Sequence, residues 1–171
     1  PEYHYHNIRH TMDVIEQSQI IGEAEGLNKR ELLLVKIAAL FHDTGFLKVR
    51  KDHESVSVEY FKIAATNQLL PEDIIQISQS IMATKIPQMP FNRVDKVLCD
   101  ADLDYLGRED YSSIAGALFR EMNFANEIQS EEEWSLLQVQ FLSRHQYHTH
   151  FSKRERMAGL LQNLNLVQTK L

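Results

Sequence analysis

Leu32-Leu33-Leu34-Val35-Lys36-Ile37-Ala38-Ala39-Leu40-Phe41-His42-Asp43-Thr44-Gly45 is the stretch on which the fold turns. Its first ten residues are apolar nearly all round a helical wheel. A surface helix would show one apolar face, so the run predicts a buried central helix. Asn28 is placed to cap it, and Glu31, three residues on, completes a capping-box pair. Gly45 supplies the stop. A charged Asp43 at the end of so apolar a run is costly to bury unless it is paired or bound to a metal. One stretch therefore predicts both a core and a site.

Helical spacing continues on either side, and strand signals are nearly absent. Six Gly and four Pro in 171 residues leave little punctuation, which favours long helices. The first helix is predicted over about residues 5–25, with Ile8, Met12 and Ile15 as its apolar stripe and Gly26 as its stop. A third covers about 54–65. Pro71-Glu72-Asp73 opens a fourth, with Ile74, Ile77 and Ile81 in step. Pro87 and Pro90 hold a loop. A fifth runs over about 92–105 and ends at Gly107. Three more cover about 110–124, 130–148 and 152–166, the last two opening on Ser130-x-x-Glu133 and Ser152-x-x-Glu155. With no repeat or Gly/Ser linker, residues 1–171 read as a single all-α domain, a bundle of about 7–9 helices.

The bulk numbers exclude several classes. Hydrophobic residues make up 43% and charged residues 25%, as in an ordinary globular protein. The net charge of −6, with Lys and Arg scattered, argues against a long nucleic acid as partner, since such a surface must neutralise many phosphates. A small phosphate ester remains compatible. No apolar run reaches the roughly 20 residues of a membrane span. The opening Pro1-Glu2-Tyr3-His4 has no apolar leader-like stretch and no Met, so a piece of a longer protein is compatible too. A single Cys99 makes no internal disulfide and suits a reducing, cytoplasmic setting.

Eight His residues carry the chemistry. His6 and His10 lie four apart in the first predicted helix, one turn from each other on one face. His42-Asp43 ends the buried helix. In Cys99-Asp100-Ala101-Asp102-Leu103-Asp104, Asp102 falls on the stripe of Val94, Leu98 and Tyr105, so it is the inward carboxylate, whereas Asp100 and Asp104 face elsewhere. Two imidazoles and two carboxylates from three helices suit a divalent transition metal. Water on such an ion loses a proton near neutral pH and becomes a nucleophile.

Three stretches, Tyr5-His6-Asn7-Ile8-Arg9-His10, Ala38-Ala39-Leu40-Phe41-His42-Asp43-Thr44-Gly45 and Cys99-Asp100-Ala101-Asp102-Leu103, resemble the HD-domain superfamily of metal-dependent phosphohydrolases. The first is similar to the His-Asn-x-x-His signature of cyclic-nucleotide phosphodiesterases. The resemblance runs from about Tyr5 to Leu106. It implies an HD-type bundle around a central buried metal site, with His10, His42, Asp43 and Asp102 as ligands to Mn, Mg, Zn, Ni or Fe. It implies catalytic roles for Asp43, able to bridge two ions, and for His6, the general acid that protonates the leaving oxygen. The reaction implied is hydrolysis of a phosphomonoester or phosphodiester in a small, nucleotide-like substrate by metal-bound hydroxide.

The sequence departs from the superfamily at two points. Phe46 and Leu47 stand where many phosphodiesterases have a further His. Of the two extra His ligands in dinuclear members, His53 resembles the first, but Ala83-Thr84-Lys85 lacks the second. One strongly bound ion is expected, with any second held by Asp43, His53 and water. Lys48, Arg50, Lys51 and Lys85 are candidates for a phosphate-attracting rim. Glu54 is a candidate for orienting water, or else a helix N-terminal acid. Tyr105 and Tyr111 are candidates for the pocket wall. His145 and His148 share a face of the predicted 130–148 helix and, with His150, read either as helix-end residues or as substrate contacts. The alternative to an enzyme is a catalytically weak HD domain, a metal- and ligand-binding sensor module of a larger signalling protein. A di-iron oxygenase would need the missing second site. A homodimer is a further expectation.

Overall fold

The computed structural model describes residues 3–169 and 171. Among them are eight α-helices and no strand: α1 (Ile8–Ala24), α2 (Lys29–Phe41), α3 (His53–Ala64), α4 (Pro71–Ala83), α5 (Arg93–Asp102), α6 (Tyr111–Phe124), α7 (Glu131–Arg144) and α8 (His150–Gln168). Two 3₁₀ turns, Thr44–Leu47 and Asp104–Gly107, follow α2 and α5. The predicted all-helical class and the helix count both hold.

Helix α2 packs against α1, α3, α4 and α5, as its composition demands, and buries Leu34, Val35, Ala38 and Ala39. Leu33 and Leu40 remain exposed, so the helix is central without being fully enclosed. The Asn28–Glu31 capping box forms. Gly45 lies within the first 3₁₀ turn rather than closing α2. A Cβ there would fall 1.9 Å from the His53 carbonyl oxygen, so the glycine is what lets α3 start against this turn.

Four sequence expectations are corrected. Asn7, not a residue near Tyr5, begins α1: its side-chain oxygen accepts from the Arg9 amide at 2.9 Å. The face of α1 that is buried is that of His10, Val14, Gln17 and Ile21, while Ile8 and Met12 are exposed. Helix α5 stops at Asp102 instead of Tyr105. Helix α7 stops at Arg144, and the Thr149 side chain accepts from the Ser152 amide to start α8, so His145 and His148 share no helix face.

Two apolar clusters fill the bundle. One, around Val14, Val35, Ala38, Ile77 and Leu98, joins α1 to α5. The other, around Leu106, Tyr111, Leu142, Tyr147 and Leu160, joins the Asp104–Gly107 turn to α6, α7 and α8. Asp100 and Asp104 are buried along this seam rather than solvated. Asp100 accepts from the amides of His148 and Thr149 at 2.8 Å each and from the Thr149 hydroxyl at 2.6 Å. Asp104 pairs with Arg156 at 2.8 Å. Gly107 and Gly159 meet backbone to backbone where this turn lies on α8.

That last contact makes a prediction. A Cβ on Gly159 would stand 2.0 Å from the Gly107 carbonyl oxygen. Gly159→Ala should lower the urea unfolding free energy by about 3 kcal/mol. Gly116→Ala, whose Cβ meets nothing nearer than Arg120 Nη1 at 3.7 Å, should instead raise it by roughly 0.5–1 kcal/mol.

Candidate metal centre and cavity

His10 projects from the first turns of α1, His42 and Asp43 follow the end of α2, and Asp102 closes α5. His10 Nε2 lies 3.3 Å from His42 Nε2, 3.3 Å from Asp43 Oδ2 and 3.2 Å from Asp102 Oδ1. His42 Nε2 is 3.2 Å from Asp43 Oδ2 and 3.4 Å from Asp102 Oδ1. These four side chains are between 1% and 14% exposed. All four ligands expected from the sequence are thus brought together.

The donor set fits a divalent cation. His42 Nδ1 donates to the Ala39 carbonyl at 2.7 Å, which places that proton and leaves Nε2 to point at the centre. Asp43 Oδ2 is buried and has no hydrogen-bond partner among the described residues. Without a cation, burial works against charge on all four groups, yet the carboxylates hold His10 and His42 above the usual imidazole range. In return Asp43 is held well below the usual carboxylate range and Asp102 is lowered to about 2. Two protons and one divalent ion offer the same compensating charge. The ion also suits two imidazole nitrogens that face each other, which two N–H groups do not.

His6 is not on α1. It precedes the Asn7 cap, in a segment whose direction is set by Glu121 on α6. The Tyr5 and His6 amides donate to Glu121 Oε2 at 2.9 and 3.0 Å, and His6 Nδ1 donates to Glu121 Oε1 at 2.5 Å. Burial opposes ionisation of Glu121, but these bonds outweigh it and hold the carboxyl at about 2. The His6 ring stacks on Phe46 with centroids 3.8 Å apart, and Phe46 meets the His53 ring at 3.9 Å on another contact. His6 and His10 ring centroids are 6.2 Å apart. Glu121 was not foreseen. It lies in the stretch after Leu106, where no motif signals a role, and only the fold carries it to His6.

His53 Nε2 is 3.2 Å from Asp43 Oδ1, on the side of Asp43 away from His10 and His42, and its Nδ1 donates to the Arg50 carbonyl at 3.2 Å. Glu54 is buried, with Oε2 unpartnered among the described residues. A cavity of about 220 Å³ opens here, lined by His6, Asp43, His53, Glu54, Thr84 and Asp102, and farther on by Leu106, Ala115, Leu118, Trp134 and Phe141. Tyr105 and Tyr111 line it as expected; the Tyr111 hydroxyl donates to Gln138 Oε1 at 2.7 Å.

Lys48, Arg50, Lys51 and Lys85 do not line this cavity. Arg50 is engaged by Glu127 at 2.8 Å and Glu121 at 3.2 Å, and Lys85 pairs with Asp52 at the surface. The phosphate-rim reading of these cations is corrected accordingly: Arg50 braces the Glu121 carboxylate from outside. His145 and His148 line a neighbouring cavity, and burial lowers His145 to about 4, so its ring is neutral.

No helix among the described residues is long and apolar enough to cross a membrane. Comparison with curated proteins gives no match. Among solved structures, the chain is similar to a predicted HD superfamily hydrolase from an uncultured Thermotogales bacterium, known from a crystal structure at 1.45 Å resolution. Identity is 21% and the TM-score 0.55, over 96% of this chain and 81% of the other, a likeness of fold. The HD domain family model matches residues 7–104, a span that takes in His10, His42-Asp43 and Asp102 and covers more than half of the chain. The chain belongs to the HD-domain family.

Proposed function

We propose that this protein is a metal-dependent phosphohydrolase acting on a phosphomonoester or phosphodiester of a small, nucleotide-like molecule. One observation carries the reading: His6, anchored by Glu121, lines the same cavity as Asp43 and Asp102 of the His10–His42–Asp43–Asp102 cluster. A metal centre alone would serve a sensor equally well. An oriented imidazole on the same cavity is what hydrolysis adds.

A divalent ion held by His10, His42, Asp43 and Asp102 supplies a polarised phosphoryl oxygen and a water of lowered pKa. The other parts belong to the chain. Glu121 keeps the Nδ1 proton of His6 in place and fixes the ring plane against Phe46, so Nε2 is the atom left to hand a proton to the leaving oxygen. Phe46 also fixes His53, whose Nε2 holds the second oxygen of Asp43. A second, weaker ion would use Asp43, His53 and water, with Glu54 alongside. Thr84 lines that side of the cavity in place of a further imidazole. The apolar remainder of the wall excludes water from the reacting group.

Three measurements test this. Millimolar manganese should raise the melting temperature of the wild type by about 5–10 °C, and that of His42→Ala not at all. A wild type unmoved by any divalent ion would end the proposal. His6→Gln should lower kcat for 4-nitrophenyl phosphate or its bis-ester by about 10²–10⁴ while keeping the manganese-induced thermal shift; unchanged turnover would remove His6 from the mechanism. Glu121 contributes stability because its carboxyl is held at about 2 instead of the usual 4.5. That contribution is complete above the higher value and is lost as pH falls through the lower one. Urea unfolding should therefore show Glu121→Gln less stable than wild type by up to about 3 kcal/mol near neutral pH. The gap should close on acidification below roughly pH 4.5.

A further inference from the structure

The cavity beside the metal centre is built of two unlike parts. Its ionisable lining comprises the carboxylates of Asp43, Glu54 and Asp102 and the imidazoles of His6 and His53. Among the described residues, no Lys or Arg lines it. Beyond Asp102 the wall is mostly apolar, with Leu106, Ala115, Leu118, Trp134 and Phe141, and its polar groups are the Tyr5 and Tyr105 phenols and the Tyr111–Gln138 pair. Trp134 is stacked on Phe119 at 5.8 Å, which holds its indole in the wall.

From this composition we propose that the substrate carries a single phosphoryl group joined to a planar, apolar alcohol, and that polyphosphates are excluded. The inference rests on the phosphohydrolase reading, keeps its phosphate-ester chemistry and replaces the nucleotide-like alcohol with an apolar ring. Charge gives the first half. An ion held by Asp43 and Asp102 has its charge met by those two carboxylates, so it coordinates one phosphoryl group with no positive charge to spare, and a second phosphate would find Glu54 and, among the described residues, no Lys or Arg. At short range in a site of low dielectric, that repulsion is not screened. The nearest guanidinium, Arg50, is committed to Glu121 and Glu127. The apolar wall gives the second half. A flat ring gains contact with Trp134, Phe141 and the leucines, while a hydroxyl-rich group would lose more water than the few phenols there could replace, the Tyr111 hydroxyl being already given to Gln138. A volume of about 220 Å³ admits a small ring system and little else.

The chain contains one tryptophan, and it lines this cavity, so its emission reports occupancy whether or not chemistry occurs. The full chain, loaded with manganese, is titrated with phenylphosphonate, methylphosphonate and pyrophosphate at equal free metal. All three are also used as inhibitors of 4-nitrophenyl phosphate turnover. Phenylphosphonate should perturb Trp134 emission saturably and bind at least tenfold more tightly than methylphosphonate. Pyrophosphate should bind no more tightly than methylphosphonate. Ala115→Leu, or Leu118→Phe where the first fails to fold, should abolish the preference for the ring and leave methylphosphonate affinity unchanged. Equal affinity for the phenyl and methyl compounds, or pyrophosphate binding more tightly than either, would overturn the inference. Tight phenylphosphonate binding without ester turnover would sink the hydrolase reading and leave the cavity assignment standing. Turnover indifferent to the ring would do the reverse.

Discussion

Two carboxylates that each approach a facing pair of imidazole nitrogens to within about 3.4 Å, in a site nearly closed to water, require a compensating positive charge. Much of the architecture follows from that requirement. The four groups come from α1, the end of α2 and the end of α5, so the site staples three helices that otherwise meet through apolar packing and the Arg93–Glu31 ion pair. The carboxylates push His10 and His42 above the usual imidazole range, and a divalent ion would meet the same requirement with better geometry. The centre is therefore both a functional site and a fold determinant.

The surrounding devices keep these helix ends in register. Asn7 starts α1 one turn before His10, which leaves His6 free to follow a different path. Gly45 lets the chain after Asp43 approach α3 closely enough to bring His53 to the other oxygen of Asp43. Arg108 grips Asp13, three residues beyond His10, through two 2.9 Å bonds, and Arg156 of α8 holds Asp104, two residues beyond Asp102. Two of the ligand-bearing elements are thus braced from the C-terminal half by bidentate or buried ion pairs, whose planar geometry fixes orientation as well as distance.

The C-terminal helices have a second part to play. Glu121 of α6 orients His6, and α6 and α7 supply the apolar wall of the cavity. The part of the chain matched by the HD family model carries the four candidate ligands, and the part beyond it supplies much of the cavity wall beside them. This division accounts for a metal centre that reads clearly beside a substrate that does not. Ligand geometry tolerates few solutions, whereas a wall of Leu, Ala and aromatic residues is what any helical core would also contain.

Read alone, the sequence determined the helical class, the central position of α2, the caps at Asn28 and Ser130, and the residue types that meet at the metal centre. Each of these rests on local spacing or on the cost of burying a charge, and neither depends on distant partners. Tertiary structure decided the rest. It put His6 outside α1, where Glu121 holds its amide and its ring while Asn7 caps the helix through the Arg9 amide. It buried Asp100 and Asp104 beside Asp102, because backbone amides at the start of α8 and the guanidinium of Arg156 wait for them there. It turned Arg50 and Lys85 toward acidic neighbours and away from the cavity. And it joined Glu121 to His6 across more than a hundred residues, a pairing to which neither residue's sequence neighbours give any clue.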